Sequence, residues 1–267
     1  DKQRVTSLVD YFRGFRAIAF TPQNLEIVAG APVMRRSWLD RAAFTVNPGH
    51  LDVVRKYGKL LKQKSSLLRE RRFDNLLLES LNQQLAIAGA TLIQGRVQTL
   101  SSLNKHISSM YQTISNGQEQ ITVEYKSDFY ADDEEKIIEM LMRQFSENRT
   151  AELASKRTLI GPHRDDVTLL VNERPLRTFG SRGQVRTAVL ACKLAELKSS
   201  SLLGVTPPFL YDDVGSELDA TRMDRLISVL QELDTQVFFT TTKLNHLACL
   251  PENQGLTYRL NNGVFSH

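Results

Sequence analysis

The sequence predicts an α/β fold in which a mainly helical insertion interrupts a lobe built on a parallel sheet. Three observations carry that expectation. Phe209-Leu210-Tyr211 is a short apolar run, preceded by the helix-stopping Pro207-Pro208 and followed by Asp212-Asp213, the pattern of a buried parallel strand that delivers acids to its carboxyl end. Ahead of it, Val185, Val189, Cys192 and Ala195, with Ala188 and Ala191 beside them, recur at helical spacing and make a small-residue face suited to packing on a sheet. From Leu51 to about Glu79, and again from Ile93 to Ile114, the period is helical.

The chain has 267 residues, of which 41% are hydrophobic and 24% charged, room for one large globular domain or two modest ones. No apolar run approaches a membrane span and no basic leader with an apolar core opens the chain, so a cytoplasmic protein with no membrane partner is expected. Cys192 and Cys249 are isolated, lack metal-ligand spacing and read as reduced packing residues. The net charge of +4 permits a polyanionic partner, and the distribution of charge says more than the total.

Taken in order, residues 1 to 20 read as an amphipathic helix with Leu8, Phe12 and Phe15 on its core side, then a strand at Ala17 to Phe20 that Pro22 ends. Arg35-Arg36 sit beside Trp38, the only tryptophan. The pair either clamps a backbone phosphate with the indole or bridges to Asp40. After Pro48-Gly49 comes the basic stretch: Arg55, Lys56, Lys59, Lys62, Lys64, Arg69, Arg71 and Arg72 against the single acid Glu70. A solvated helix ordinarily interleaves both signs. If about five of these cations met phosphates, log K would fall with log salt at a slope of roughly −4 to −5.

Ile93, Val97, Leu100, Leu103, Ile107, Met110 and Ile114 form the core stripe of a second helix. Asn116-Gly117 marks a turn, and Ile121 to Ser127 alternates as a half-buried strand. Asp132 to Glu135 opens the next helix and suits the positive end of its dipole rather than a metal. His163 lies in the turn Gly161 to Asp166, where a solvated hydrogen-bonding role outweighs phosphate sensing, and Asp165 and Asp166 are expected to pair with Arg164 or other bases nearby. An alternating strand, Val167 to Val171, and a second short one follow. Ser181 then stands at an N-cap with Gln184 three residues on, a capping box. After Asp219 comes a helix carrying Leu226, Ile227, Val229, Leu230 and Leu233, then a buried strand at Gln236 to Thr240 and a hairpin turn at Asn261-Asn262-Gly263.

In this order and spacing the motifs resemble the ATPase core of the ABC superfamily, and most closely the RecF family of DNA repair proteins. Ser181-Arg182-Gly183-Gln184 stands where that family has its signature, Phe209 to Asp213 resemble the Walker B strand and Ser216-Glu217-Leu218-Asp219 the D-loop. The segments Phe20 to Leu25, Arg35 to Asp40, Gly161 to Asp166 and Gln236 to Thr242 fit the same family. Thr240-Thr241-Thr242 ends where ABC transporters carry a switch histidine; RecF proteins resemble this chain in having threonine there, with His246 four residues on. No stretch matches the phosphate-loop pattern G-x-x-x-x-G-K-[ST]. The resemblance implies that this loop belongs to an amino-terminal lobe ahead of Asp1.

The expected organisation is therefore the start of an ATPase lobe over 1–28, a basic helical arm over 29–155 and the remainder of the lobe over 156–267. The resemblance implies a head-to-tail dimer in which each signature caps the nucleotide held by its partner. Ser181, Arg182, Gly183, Gln184, Ser216, Asp219 and Gln23 are then the ATP-contacting residues, Gln23 being open also to a plain turn role. Asp212 is the Mg²⁺ ligand and, with Asp213, the catalytic pair. Arg35, Arg36, Arg55, Lys56, Lys59, Lys62 and Lys64 are the candidate DNA contacts. ATP and Mg²⁺ are the implied cofactors of the whole family member, a slow ATPase; without a phosphate loop this chain alone is expected to bind neither tightly and to be inactive. The implied partners are DNA, RecR, and with them RecO and RecA, at gapped DNA. Asp is shorter than the Glu that most ABC enzymes place after Walker B, which fits slow turnover. The competing reading is a nucleotide-free module that binds DNA or RecR. A transporter subunit is disfavoured by the long basic arm and the missing switch histidine.

Overall fold

A computed structural model describes residues 16–70, 74–117, 119–204, 206–213, 219–243, 255–261 and 263–266. The expectations for Leu8, Phe12, Phe15, Arg71, Arg72, Ser216, Glu217, His246 and Cys249 lie outside the described residues.

Strand β1 (Ile18–Phe20) leads through a 3₁₀ turn at Pro22–Leu25 and a short helical turn into α1 (Pro32–Val46). Next come α2 (His50–Leu67), α3 (Asn75–Ser115), β2 (Ile121–Lys126), α4 (Glu134–Glu147) and α5 (Arg149–Ser155). β3 (Asp166–Val171) and β4 (Arg174–Pro175) precede α6 (Arg182–Leu202), β5 (Phe209–Tyr211), α7 (Ala220–Glu232), β6 (Val237–Phe239) and the hairpin β7 (Arg259–Asn261) and β8 (Val264–Ser266).

The parallel sheet has the order β1-β5-β6, with Phe20, Tyr211 and Phe239 in one register row. Its central strand is therefore the one that Asp212 follows. β2, β3 and β4 form a separate antiparallel sheet, pairing Ile121 with Val171 and Lys126 with Asp166. One core gathers Phe20, Trp38, Leu39, the Leu100 to Ile114 half of α3, the inner faces of α6 and α7, and Phe209 and Tyr211. A second gathers Tyr57, Leu60, Leu67, the Leu78 to Ile93 half of α3, and Ile137, Leu141 and Phe145 of α4. α3 thus contributes buried residues to both cores, and Tyr125 of β2 packs against both.

The sequence runs the first arm helix to about Glu79, whereas α2 ends at Leu67 and α3 begins eight residues later. The start is set by Asp74, whose carboxylate accepts from Leu76 N at 2.8 Å. The 41-residue α3 ends where Asn116 takes a left-handed conformation (φ 74°), followed by Gly117 (φ 73°), the closure that an Asn-Gly pair supplies. The acidic run also behaves as expected: Asp133 accepts from Glu135 N at 3.0 Å and starts α4. The Cys192 side chain is fully buried in the first core.

Trp38 is fully buried, its Nε1 donating to Glu196 Oε1 at 2.7 Å, while Lys193 Nζ donates to the same oxygen at 2.9 Å. This fastens α1 to α6. Close by, Arg96 of α3 grips both oxygens of Asp40 at 2.8 and 2.9 Å and donates to Pro162 O at 2.8 Å, and His50 Nε2 lies 3.0 Å from Asp40. Burial raises the Asp40 carboxyl, but the Arg96 and His50 bonds outweigh it and bring it down to about 2. A side chain at Gly95 would meet His50 Nδ1 at 2.8 Å, so the start of α2 lies close against α3.

Candidate functional site

Three parallel strands present their carboxyl ends side by side. Asp212 N donates to Phe20 O at 2.9 Å and Thr240 N to Tyr211 O at 3.0 Å, carrying the ladder one residue past β5 and β6. Thr240 Oγ1 donates to Asp212 Oδ1 at 2.5 Å and accepts from Asp213 N at 2.9 Å. Thr240 thus holds the first acid and the backbone of the second, and Asp213 itself adopts φ 59°. Asp212 is exposed, and Gln23 is exposed in the 3₁₀ turn that leaves β1 at the same edge of the sheet. Asp212 keeps a second carboxylate oxygen for a cation. Among the described residues there is no group of three or more His, Cys, Asp or Glu side chains able to hold a metal by itself. A hard cation on Asp212 would complete its shell with phosphate and water oxygens, as Mg²⁺ does.

The signature residues open α6. Ser181 Oγ accepts from Gln184 N at 3.2 Å and Gln184 Oε1 accepts from Ser181 N at 2.8 Å, the expected capping box. Ser181 and Arg182 are exposed and Gly183 and Gln184 half-buried, so the positive end of a 21-residue helix is open for an anion. A Cβ on Gly183 would meet Arg222 Nη1 at 2.7 Å. Arg222 belongs to the first turn of α7, whose N-cap Asp219 accepts from Arg222 N at 2.9 Å and lies 3.6 Å from its guanidinium. Gly183 and Asp219 therefore share one neighbour.

Sequence reasoning missed the support behind the signature. Gln184 Nε2 donates to Glu119 Oε1 at 2.5 Å, and Tyr111 OH donates to Glu119 Oε2 at 2.7 Å. Burial and the Glu119 bond push the Tyr111 hydroxyl far above its ordinary value. Arg225 of α7 reaches Ile114 O at 3.2 Å and Asn116 Oδ1 at 2.9 Å. The end of α3 is thereby bound to both helices that border the site.

The basic candidates divide. Arg55, Lys56, Lys59 and Lys62 are exposed along one stripe of α2, and none is paired with an acid among the described residues. Lys64 is corrected: it is fully buried, with Nζ 2.7 Å from Glu152 Oε2 and 4.0 Å from the Phe145 ring centroid. Its phase was readable, because Tyr57, Leu60, Lys64 and Leu67 follow the three-and-four spacing of the inward face. Arg35 is corrected too. It is buried, donates to both Asp166 oxygens at 2.7 and 2.8 Å and to Gly30 O at 2.8 Å, and has no reach to a DNA strand. Arg36 is half-buried and donates to Asp165 O at 2.6 Å. With Trp38 in the core and Asp40 bound to Arg96, neither the clamp nor the Asp40 bridge describes this pair.

His163 is half-buried and engaged within the protein: Nδ1 lies 2.8 Å from Tyr57 OH and Nε2 3.2 Å from Thr158 O. Burial, opposed by the Thr158 bond and reinforced by Arg164, Arg36 and Lys64, lowers it to about 4, so it is neutral at pH 7.

A parallel sheet edge carrying two successive acids, a capped signature helix and an inserted helical arm define an ABC-type ATPase fold. No protein-family model matches the chain. Two curated proteins named DNA replication and repair protein RecF, from Streptococcus pyogenes strains NZ131 and Manfredo, are each 35% identical to it over 262 residues, covering 94% of this chain and 71% of theirs. The chain belongs to the RecF family of DNA replication and repair proteins. Two solved structures of the recombination mediator protein RecF in the RecFOR pathway, RecF-ATP and RecF-ATPrS, superpose with TM-scores of 0.81 and 0.83 at 28% identity. They cover 95% and 98% of this chain, which in turn covers 67% and 70% of theirs. No helix among the described residues is long and apolar enough to cross a membrane.

Proposed function

We propose that this chain is the greater part of a cytoplasmic recombination mediator that forms an ATP-dependent head-to-tail dimer, binds DNA through its arm, and with RecR and RecO helps load RecA at gapped DNA. The observation that carries the reading is the Thr240 bridge, which presents Asp212 and Asp213 at the edge of the sheet where a nucleotide's phosphates would lie. Asp212 would hold Mg²⁺, directly or through water. The ion, when bound, neutralises charge building on the β- and γ-phosphates. Asp213 orients or deprotonates the attacking water. Ser181, the Gly183 amide and the α6 terminus receive the partner's γ-phosphate, with Arg182 and Gln184 beside them, and Asp219 and Ser216 face the same interface. Gln23 links the sheet edge to the arm. Arg55, Lys56, Lys59 and Lys62 lie along duplex phosphates without reading bases.

The test joins this chain to a phosphate-loop lobe and changes Asp212→Asn. ATP hydrolysis should be lost and nucleotide-dependent dimerisation altered; if both stay unchanged, the Mg²⁺ assignment is wrong. Reversing charge at Lys56, Lys59 and Lys62 should weaken duplex binding and flatten its salt slope by about 3. A second reading, a DNA- or RecR-binding module without ATPase activity, is favoured for the chain by itself because its 267 residues contain no phosphate-loop pattern. Micromolar ATP affinity in the isolated chain would contradict it.

A further inference from the structure

The groove at the carboxyl end of α2 plays no part in the nucleotide site. It has a volume of about 340 Å³, and Arg69, Lys156, Arg157 and Arg164 line it together with Ser65 and Thr158. No acid lines it. All four cationic side chains are exposed, and none makes a hydrogen bond or ion pair among the described residues. The backbone places them firmly: Arg157 N donates to Glu152 O, Arg164 N to Gly161 O, and Lys156 closes α5 in a left-handed conformation at φ 53°. On the groove wall, Ser65 Oγ and Thr158 Oγ1 hydrogen-bond to each other at 3.2 Å, which leaves one of the two hydroxyl protons to donate to an anion. His163 borders the groove and is neutral at pH 7, with both ring nitrogens already engaged, so it adds no charge of its own.

Four like charges facing one concavity with no counter-charge among the described residues repel one another, and the arrangement is relieved by a bound anion. Guanidinium forks with adjacent hydroxyls match the oxygens of a phosphate group. The groove lies at the end of the helix that carries the exposed stripe Arg55, Lys56, Lys59 and Lys62: Leu61 and Ser65 of α2 line it, Arg69 follows two residues past Leu67, and α2 covers only about 18 Å from Arg55 to Leu67. We propose that this groove is a phosphate-binding site that takes a backbone phosphodiester of a DNA strand running along α2. It rests on the DNA-binding reading above and adds a place where the strand is anchored, built from Lys156, Arg157 and Arg164, more than 80 residues from the stripe in sequence.

The experiment uses the 267-residue chain, a fluorescent 20-base-pair duplex, and anisotropy titrations over a range of salt. The triple variant Arg69→Ala, Arg157→Ala, Arg164→Ala is compared with Lys56→Ala, Lys59→Ala, Lys62→Ala and with the charge-keeping pair Arg157→Lys, Arg164→Lys, each checked for an intact thermal transition. The groove triple should weaken duplex binding at least about tenfold and lower the salt slope by about 1 for each phosphate released, while the lysine pair, which keeps the charge but loses the forks, should keep the parent's salt slope and lose less affinity than the triple. Inorganic phosphate, titrated against the duplex complex at constant ionic strength, should compete only in proteins with the groove intact. If the α2 triple weakens binding and the groove triple does not, the groove proposal falls and the DNA reading stands. Should neither triple matter, both fall. Saturable binding of inorganic phosphate without any effect on duplex affinity would make this a site for free phosphate and overturn the strand assignment.

Discussion

Glu119 receives the side-chain amide of Gln184 at 2.5 Å, so a residue just beyond the last turn of α3 holds a residue of the signature. Its other oxygen is taken by Tyr111 at 2.7 Å, and Gln184 in turn fixes Ser181 through the capping box. Glu119→Ala removes the acceptor of both bonds and should cost about 1 to 3 kcal/mol. Glu119→Gln keeps an acceptor for Gln184 and presents an amide to the Tyr111 hydroxyl, so its loss should be at most about half as large. Urea unfolding of the two variants measures the difference; equal losses would show that the two-bond geometry is not what matters.

Gly183→Ala separates folding from engagement. The new methyl meets the mobile tip of Arg222 rather than backbone, and alanine is the better helix former. Thermal stability should therefore change by less than about 1 kcal/mol. Nucleotide-dependent dimerisation, followed by light scattering in a protein carrying the phosphate-loop lobe, should weaken by at least about tenfold as the methyl and the displaced arginine crowd the phosphate position.

Asp40 predicts the acid limb of stability. Its carboxyl stands near 2 in the fold against 3.8 in the unfolded chain. The unfolded chain therefore takes up this proton first as the pH falls. The contribution is complete above about pH 5 and is lost progressively toward pH 2, amounting to roughly 2 kcal/mol. Asp40→Asn is less stable at neutral pH, because Arg96 loses its ionic partner. The gap between the variant and the parent should narrow by that amount between pH 5 and 2. A constant gap would contradict the assignment.

Lys64 and Lys59 lie five residues apart and should behave oppositely. Lys64→Ala leaves Glu152 buried without a counter-charge, holding only its bond from Leu159 N, and should cost about 3 to 5 kcal/mol, with little direct effect on the salt slope of DNA binding. Lys59→Ala should stay within about 0.5 kcal/mol of the parent in stability and reduce the slope by about 1. Unfolding and anisotropy on the same two proteins test this.

The elements legible in the sequence were those set by neighbours along the chain. The Ser181 capping box, the Asn116-Gly117 closure of α3, the Asp133 start of α4 and the Phe209 to Tyr211 strand each depend on residues within a few positions. What stayed hidden depends on partners brought together by folding: Glu119 with Gln184, Lys64 with Glu152, Arg35 with Asp166, and Thr240 with Asp212. A lysine's charge is visible in sequence but its partner is not, so Lys64 and Arg35 read as surface cations. The break between α2 and α3 was missed because helical spacing persists across it, although Asp74 offered a local signal.

The shared helix α3 has a mechanical meaning. With 41 residues it is about 60 Å long. Its carboxyl half is embedded beside α6, and beyond its last turn Asn116 and Glu119 are tied to α7 and the signature. Its amino half carries α2 and α4. A tilt of about 5° where it meets the signature would swing the far tip by about 5 Å, and α2 with its cationic stripe would travel with it. The span of α3 thus gives the arm the geometry of a lever: under the proposed function, a small rotation at the signature end is magnified at the cationic stripe without any contact between the two.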